Sequence, residues 1–230
     1  ARAETPEDEL AADAADAKEP ALRATIRTLR ESAALRRVAL LVAGFAIFAA
    51  PMTSMAVPLS LELRPPTPDL VATGSGLLMA AFGVGRLIAP VIVRRLAKHH
   101  DAVAASAAAG LGAAIVLVAF AVVSAAQGGM RELLAWGVTG IAFGALFYGN
   151  RSLSVGAADR TGDDKARYQT VVVLVAALAG PVGSFAWGWT LDSRGPEAVL
   201  LLGGLAAGIL ALAMGGHTLV TRRGAAPEAA

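Results

Sequence analysis

Six stretches of this chain contain no Asp, Glu, Lys or Arg: residues 38–61, 70–85, 102–130, 133–150, 168–191 and 198–221. The second continues past Arg86 as far as Val93. The hydrocarbon core of a bilayer is about 30 Å thick and takes roughly 20 helical residues to cross, which is the scale of every stretch. Over its 230 residues the chain is 56% hydrophobic and 17% charged, with a mean hydropathy of +0.60. A soluble domain of this size needs more polar surface than that. Richness in Ala and Leu, with no period-two alternation, excludes the strands of a membrane barrel. The pattern predicts an all-α membrane protein with transmembrane helices at 38–61, 70–93, 102–126, 133–150, 168–191 and 198–221. A charged linker, 1–37, precedes them and a short tail, 222–230, follows.

Orientation follows from the cations. With the amino terminus inside, sixteen of the twenty Lys and Arg lie in inner segments. Only Arg64, Arg131 and Arg194 lie outside, and Arg86 is within a span. By the positive-inside rule both termini are expected to be cytoplasmic, in a multi-pass protein of the cell membrane (inner or plasma). Trp136, Trp187 and Trp189 all fall near outer helix ends, where an interfacial role is expected. In the linker, residues 1–19 are acidic. Then Leu22, Ile26 and Leu29 share one helical face and Arg23, Arg27 and Arg30 the other, a pattern that suits either a membrane-surface helix or a solvated one.

Other chemistries find little support. With no cysteine, disulfides, thiol catalysis and cysteine metal sites are excluded. His99, His100 and His217 form no metal-ligand spacing, and no metal or other cofactor is expected, nor a nucleic-acid partner. Ser152-Leu153-Ser154-Val155-Gly156 narrowly misses the G-x-S-x-G pattern of hydrolases and has no histidine nearby, so an enzyme is not expected. A six-helix permease subunit of an ATP-driven transporter needs a cytoplasmic E-A-A-x-x-x-G coupling loop, which the segment 150–168 does not match. That permease and a non-transporting membrane scaffold are the alternative readings.

Small residues recur at helix-packing spacing: Gly140 with Gly144, Gly204 with Gly208, and Gly76 with Ala80. Pro51, Pro58, Pro90 and Pro181 lie inside spans, where each removes a backbone hydrogen bond. The stretch from Pro90 to His99 resembles the loop signature G-x-x-x-D-R-x-G-R-R of the major facilitator superfamily. It keeps the basic cluster Arg94, Arg95 and Lys98, with Pro90 for the first glycine and Arg94 for the aspartate. Gly188 to Gly195 keeps the G-x-x-x-D-x-x-G skeleton, with Asp192 as its acid, and Gly180-Pro181-Val182-Gly183 resembles the core of that family's antiporter signature. Over its whole length the chain is similar to the carboxy-terminal half of such a carrier. The resemblance implies six helices as half of a twelve-helix fold, built from two inverted three-helix repeats. It further implies a small-molecule substrate, a missing amino-terminal six-helix half as partner, and gating or structural parts for Arg86, Arg94, Arg95, Asp192, Pro51 and Pro181.

Candidate site residues follow from the polar groups within spans. Arg86 is the single Asp, Glu, Lys or Arg inside one, either snorkelling toward the inner interface or touching substrate or gate. No Asp or Glu lies in mid-span; Glu62 stands at the outer mouth, and proton coupling, if the carrier has it, is expected in the other half. The first span carries Thr53 and Ser54 next to Pro51, flanked by Met52 and Met55. The fourth carries Thr139, Phe143, Phe147, Tyr148 and Asn150. In a carrier of this family the first helix of each repeat lines the cavity. Thr53, Ser54, Met52, Met55, Phe143 and Phe147 are therefore the expected substrate-binding residues. Because the chain lacks cysteine, its topology is directly testable. Single cysteines at Gly129 and Ser193 should react with an impermeant thiol reagent added to intact cells, and one at Asp163 should not. Labelling at Asp163 would reverse the assigned orientation.

Overall fold

The computed structural model describes residues 27, 33–55, 58, 68–122, 130–160 and 165–224. Among these residues no strand forms and every long element is helical. The helices are α1 (Ala33–Ser54), α2 (Pro68–Leu96), α3 (Ala102–Val122) and α4 (Met130–Arg160), followed by a helical run, Lys165–Gly224. That run breaks at Gly195 into α5 and α6, because Gly195 takes φ 79° and ψ 178°, a backbone region that only glycine enters without strain. Five helical segments are long and apolar enough to cross a membrane: Thr73–Leu96, Ala102–Val122, Met130–Ala158, Tyr168–Gly195 and Glu197–Val220. The linker up to residue 32 apart from Arg27, the segment around Glu62 and the tail beyond residue 224 lie outside the described residues.

Helix ends differ from span ends for a physical reason. The uncharged run of the fourth span stops at Asn150, yet α4 continues to Arg160. Charge ends a membrane crossing, whereas a helix continues into water while its residues tolerate helical geometry. Ser152 to Gly156, expected in a loop, is therefore helical. It cannot form the strand-to-helix elbow that a G-x-S-x-G nucleophile requires. Between α2 and α3 the chain turns within residues 97–101, and Asp101 caps α3, its carboxylate accepting from the Ala104 amide at 2.7 Å. Arg94 and Arg95 stand exposed in the last turn of α2, where cations complement the helix dipole.

Neighbours in sequence are not the main neighbours in space. α2 packs chiefly on α4, α3 lies against α4 and the final helical run, and α1 packs on that run, while α1 and α2 barely touch. Glycine contacts divide the final run between its two helices. A side chain at Gly183 of α5 would press on the Ile47 backbone of α1. Gly44 of α1 faces Leu210 of α6, Gly204 of α6 faces Leu117 and Val118 of α3, and Gly110 of α3 faces Leu146 of α4. Exchanging the first three helices with the last three maps these contacts onto one another: α2–α4 onto α5–α1, α3–α4 onto α6–α1, and α3–α6 onto itself.

The α2–α4 contact is backbone on backbone. A Cβ at Gly85 would collide with the Gly137 carbonyl, one at Gly140 with the Phe82 carbonyl, and one at Gly144 with the Ala89 side chain at 2.7 Å. Gly140 and Gly144, and likewise Gly204 and Gly208, thus serve the packing their spacing predicts. Gly76 and Ala80 do not: both are exposed, and nothing lies within 4 Å of a Cβ built at Gly76. Large apolar side chains point outward instead, among them Leu87 at 76% exposed, Phe185 at 79% and Ile209 at 67%. Such a surface suits lipid or an apolar partner. Two of the three tryptophans are not interfacial: Trp136 is 2% and Trp187 7% exposed, whereas Trp189 is 61% exposed. Trp136 packs on Phe82. Gly140→Ala should lower stability by about 1–3 kcal/mol, because the α2 backbone has no room to yield. Gly76→Ala should be neutral or stabilising by up to about 1 kcal/mol. Unfolding of the purified variants in lipid discs measures both.

Candidate functional site

The close approach of α2 and α4 determines where Arg86 stands. With Gly144 against the Arg86 backbone, 3.2 Å from its carbonyl oxygen to a Cβ position, the guanidinium is carried over the aromatic face of α4. Its central carbon lies 5.1 Å from the Phe143 ring centroid and 5.4 Å from that of Phe147. The two rings are four residues apart on one helix and stack with planes 9° apart. Phe45 of α1 closes the cluster at 5.4 Å from Phe143 and 6.1 Å from Phe147, and Phe82 of α2 meets Phe143 at 5.4 Å. Phe143 is buried and Phe147 partly so.

An open cleft of about 440 Å³ lies beside the guanidinium, lined by Gly83, Arg86, Leu87, Pro90, Gly144, Phe147 and Tyr148. It exists because of what its walls lack. Gly83 has no side chain, and nothing lies within 4 Å of where one would begin. Pro90 lies four residues after Arg86 and has no N–H, so the Arg86 carbonyl receives no intrahelical bond. Gly144 lies against that oxygen, leaving no space for a side chain there. Among the described residues Arg86 forms no ion pair, and its only ring or charge contacts are the two phenylalanines. A second cavity of about 330 Å³ lies between α4 and α5, lined by Arg151, Ser154, Tyr168, Gln169 and neighbouring apolar residues.

The residues expected around the first span are dispersed. Met52 and Met55 are 3% and 6% exposed and belong to the main core cluster, with Phe48, Trp187 and Leu191. The Met52 methyl group abuts Gly203 of α6. The Thr53, Ser54 and Pro51 side chains lie outside the described residues, although their backbone is helical. Thr139 turns inward on its own helix, its hydroxyl donating to the Ala135 carbonyl at 2.9 Å. Asn150, on the face of α4 that carries Phe143 and Phe147, has a buried side-chain oxygen without a hydrogen-bond partner. Pro181 is exposed on α5, and Asp192 is exposed near its carboxy-terminal end. Glu132 is a residue that the sequence reading passed over: it is 3% exposed in the first turn of α4. An acid at a helix start was visible in sequence, but its burial was not.

The carbonyl that Pro51 releases has a taker within the protein. Pro51 removes the helical donor to Ile47, and the Trp187 indole Nε1 donates to the Ile47 carbonyl at 3.0 Å. Gly183, one turn earlier on α5, allows the two backbones to come that close. Comparison with protein-family models, with curated proteins and with solved structures yields no match to this chain. A double-mutant cycle tests the shared carbonyl. Trp187→Phe should cost about 0.5–1.5 kcal/mol of stability, and clearly less once Pro51→Ala has restored the helical donor. Equal costs in both backgrounds would separate the tryptophan from the proline.

Proposed function

We propose that this chain is the carboxy-terminal six-helix half of a secondary carrier of the major facilitator type, moving a small solute by alternating access. The observation that carries this reading is the α2–α4 cleft: a solute-sized groove on the face of an apolar helical bundle, beside an exposed cation with no carboxylate partner among the described residues. An ionisable group on an apolar helix of membrane length is costly in hydrocarbon and marks solute or ion pathways. The size and mostly apolar lining of the cleft are those of small-molecule sites.

Two further features favour the reading. The contact pattern that survives exchange of α1–α3 with α4–α6 fits two three-helix repeats, between which carriers of this kind rock. α1 is 22 residues long, and its part from Val38 onward, 17 residues without charge and about 26 Å at 1.5 Å per residue, is the sixth span in this reading. α2 and α5 correspond in the exchange and keep the least of their surface inside the bundle. In this reading those faces meet the amino-terminal half. A scaffold would not need the cleft, and the sequence of the segment 150–168 does not match the coupling loop of an ATP-driven permease.

Alternating access is testable before any solute is known. A single cysteine at Gly83 has free space around it and lines the cleft. In native membranes it should react with an impermeant thiol reagent from either face. Val116→Cys, on the exposed apolar side of α3, should react from neither. Reaction of the Gly83 cysteine from one face only, or from none, would count against a carrier.

A further inference from the structure

The cleft also bears on what it takes, and this step rests on the carrier reading for its biological sense. We infer that the α2–α4 cleft is a binding site for an amphiphilic organic monoanion, a small carboxylate with an apolar body, whose acid group pairs with Arg86. The guanidinium is charged at every physiological pH and carries five N–H donors in one plane. Phe143 and Phe147 lie 5.1 and 5.4 Å from its central carbon, within cation–π range, and attract its positive charge. Rings accept no in-plane hydrogen bonds, so the donor edge keeps its capacity. A carboxylate is the group whose two oxygens fit that edge.

The walls define the remainder of the ligand. Leu87, Pro90 and the Phe147 ring form apolar sides, Gly83 and Gly144 leave room between them, and Tyr148 brings the one hydroxyl. A single cation with no second Lys, Arg or His on the lining balances one negative charge, which disfavours dianionic and polyanionic ligands. A volume of about 440 Å³ holds a molecule of the size of benzoate or hexanoate with space to spare. A zwitterion would bring a cation with no acid on the cleft wall to receive it. A lipid phosphodiester is also an amphiphilic monoanion, so the experiment must separate a free solute from a headgroup.

The full chain in discs of zwitterionic lipid is the material, and equilibrium dialysis is the readout. The probes are radiolabelled benzoate and hexanoate, each against its neutral amide. Both acids should bind at least about tenfold more tightly than their amides, the scale of a charge-assisted hydrogen bond. Arg86→Gln should erase the difference between acid and amide. Arg86→Lys should keep the charge but lose the paired geometry, and so fall in between, which separates loss of charge from loss of fold. Gly83→Leu should weaken acid and amide alike by filling the cleft. If neither acid exceeds its amide, or if Arg86→Gln preserves the difference, the proposal is wrong. If discs containing anionic phosphatidylglycerol abolish acid binding, Arg86 serves a headgroup and the solute assignment falls. Binding is read independently of two-sided thiol access. Acid binding with one-sided access would retain the site and reject the carrier; two-sided access without acid binding would do the reverse.

Discussion

Helices in hydrocarbon gain nothing from hiding apolar side chains from one another, since the surrounding lipid is as apolar as they are. What holds such a bundle is close fit, interhelical hydrogen bonds and the absence of side chains where backbones meet. In this protein that constraint is met at two crossings. Gly85, Gly140 and Gly144 bring α2 and α4 into backbone contact, and Gly183 does the same for α5 and α1. Everything of functional interest is positioned by them. The α2–α4 crossing places the Arg86 guanidinium over two rings. The α5–α1 crossing brings the Trp187 indole to the Ile47 carbonyl.

Prolines inside the spans create the polar points that these crossings exploit. Each removes one helical hydrogen bond and leaves a carbonyl that apolar surroundings do not satisfy, at a cost of about 1–3 kcal/mol if nothing replaces the donor. Pro51 frees the Ile47 carbonyl, and an indole from a helix some 140 positions away supplies the donor. Pro90 frees the Arg86 carbonyl, beside which Gly144 lies. The two helix pairs correspond in the exchange of helix triplets, although the proline is on α1 in one pair and on α2, the counterpart of α5, in the other. In each, a broken helix is joined through its freed carbonyl to a glycine of its partner. A helix broken in this way bends at a defined place, and the partner that holds the freed carbonyl determines where.

Arg86 is the point at which electrostatics enters an otherwise apolar helix surface. A charge on such a surface is supported by two contributions: the quadrupoles of Phe143 and Phe147, and the reach of a long side chain toward an open cleft. The first contribution is modest, about 0.5–2 kcal/mol, and leaves the guanidinium edge open to a ligand. The same geometry explains why Phe143 is buried while Phe147 keeps part of its surface toward the cleft. One ring supports the cation from within the core and the other forms wall.

Much of the fold was legible in the residue order. Runs without charge at bilayer length mark apolar helices whatever their neighbours, because hydrocarbon admits no exposed backbone polar groups. Gly140 with Gly144 and Gly204 with Gly208 also announced close packing, since only small residues permit it. Helix ends were less legible: α4 passes the last uncharged residue by ten positions, because the end of a crossing and the end of a helix answer to different forces. Partner choice was not legible at all. Gly76 and Ala80 carry the same spacing as the working pairs and face outward, and Trp187 lies inside rather than at the interface. Spacing along one helix says which residues share a face but not which helix that face meets. From sequence alone came a membrane-spanning helical chain with one arginine and a few aromatic residues inside its spans. That Arg86, Phe143 and Phe147 form one cluster, while Met52 and Met55 go to the core, was decided only by the tertiary packing of the helices. A side chain's surroundings depend on contacts between segments far apart in the chain, and no local pattern encodes those.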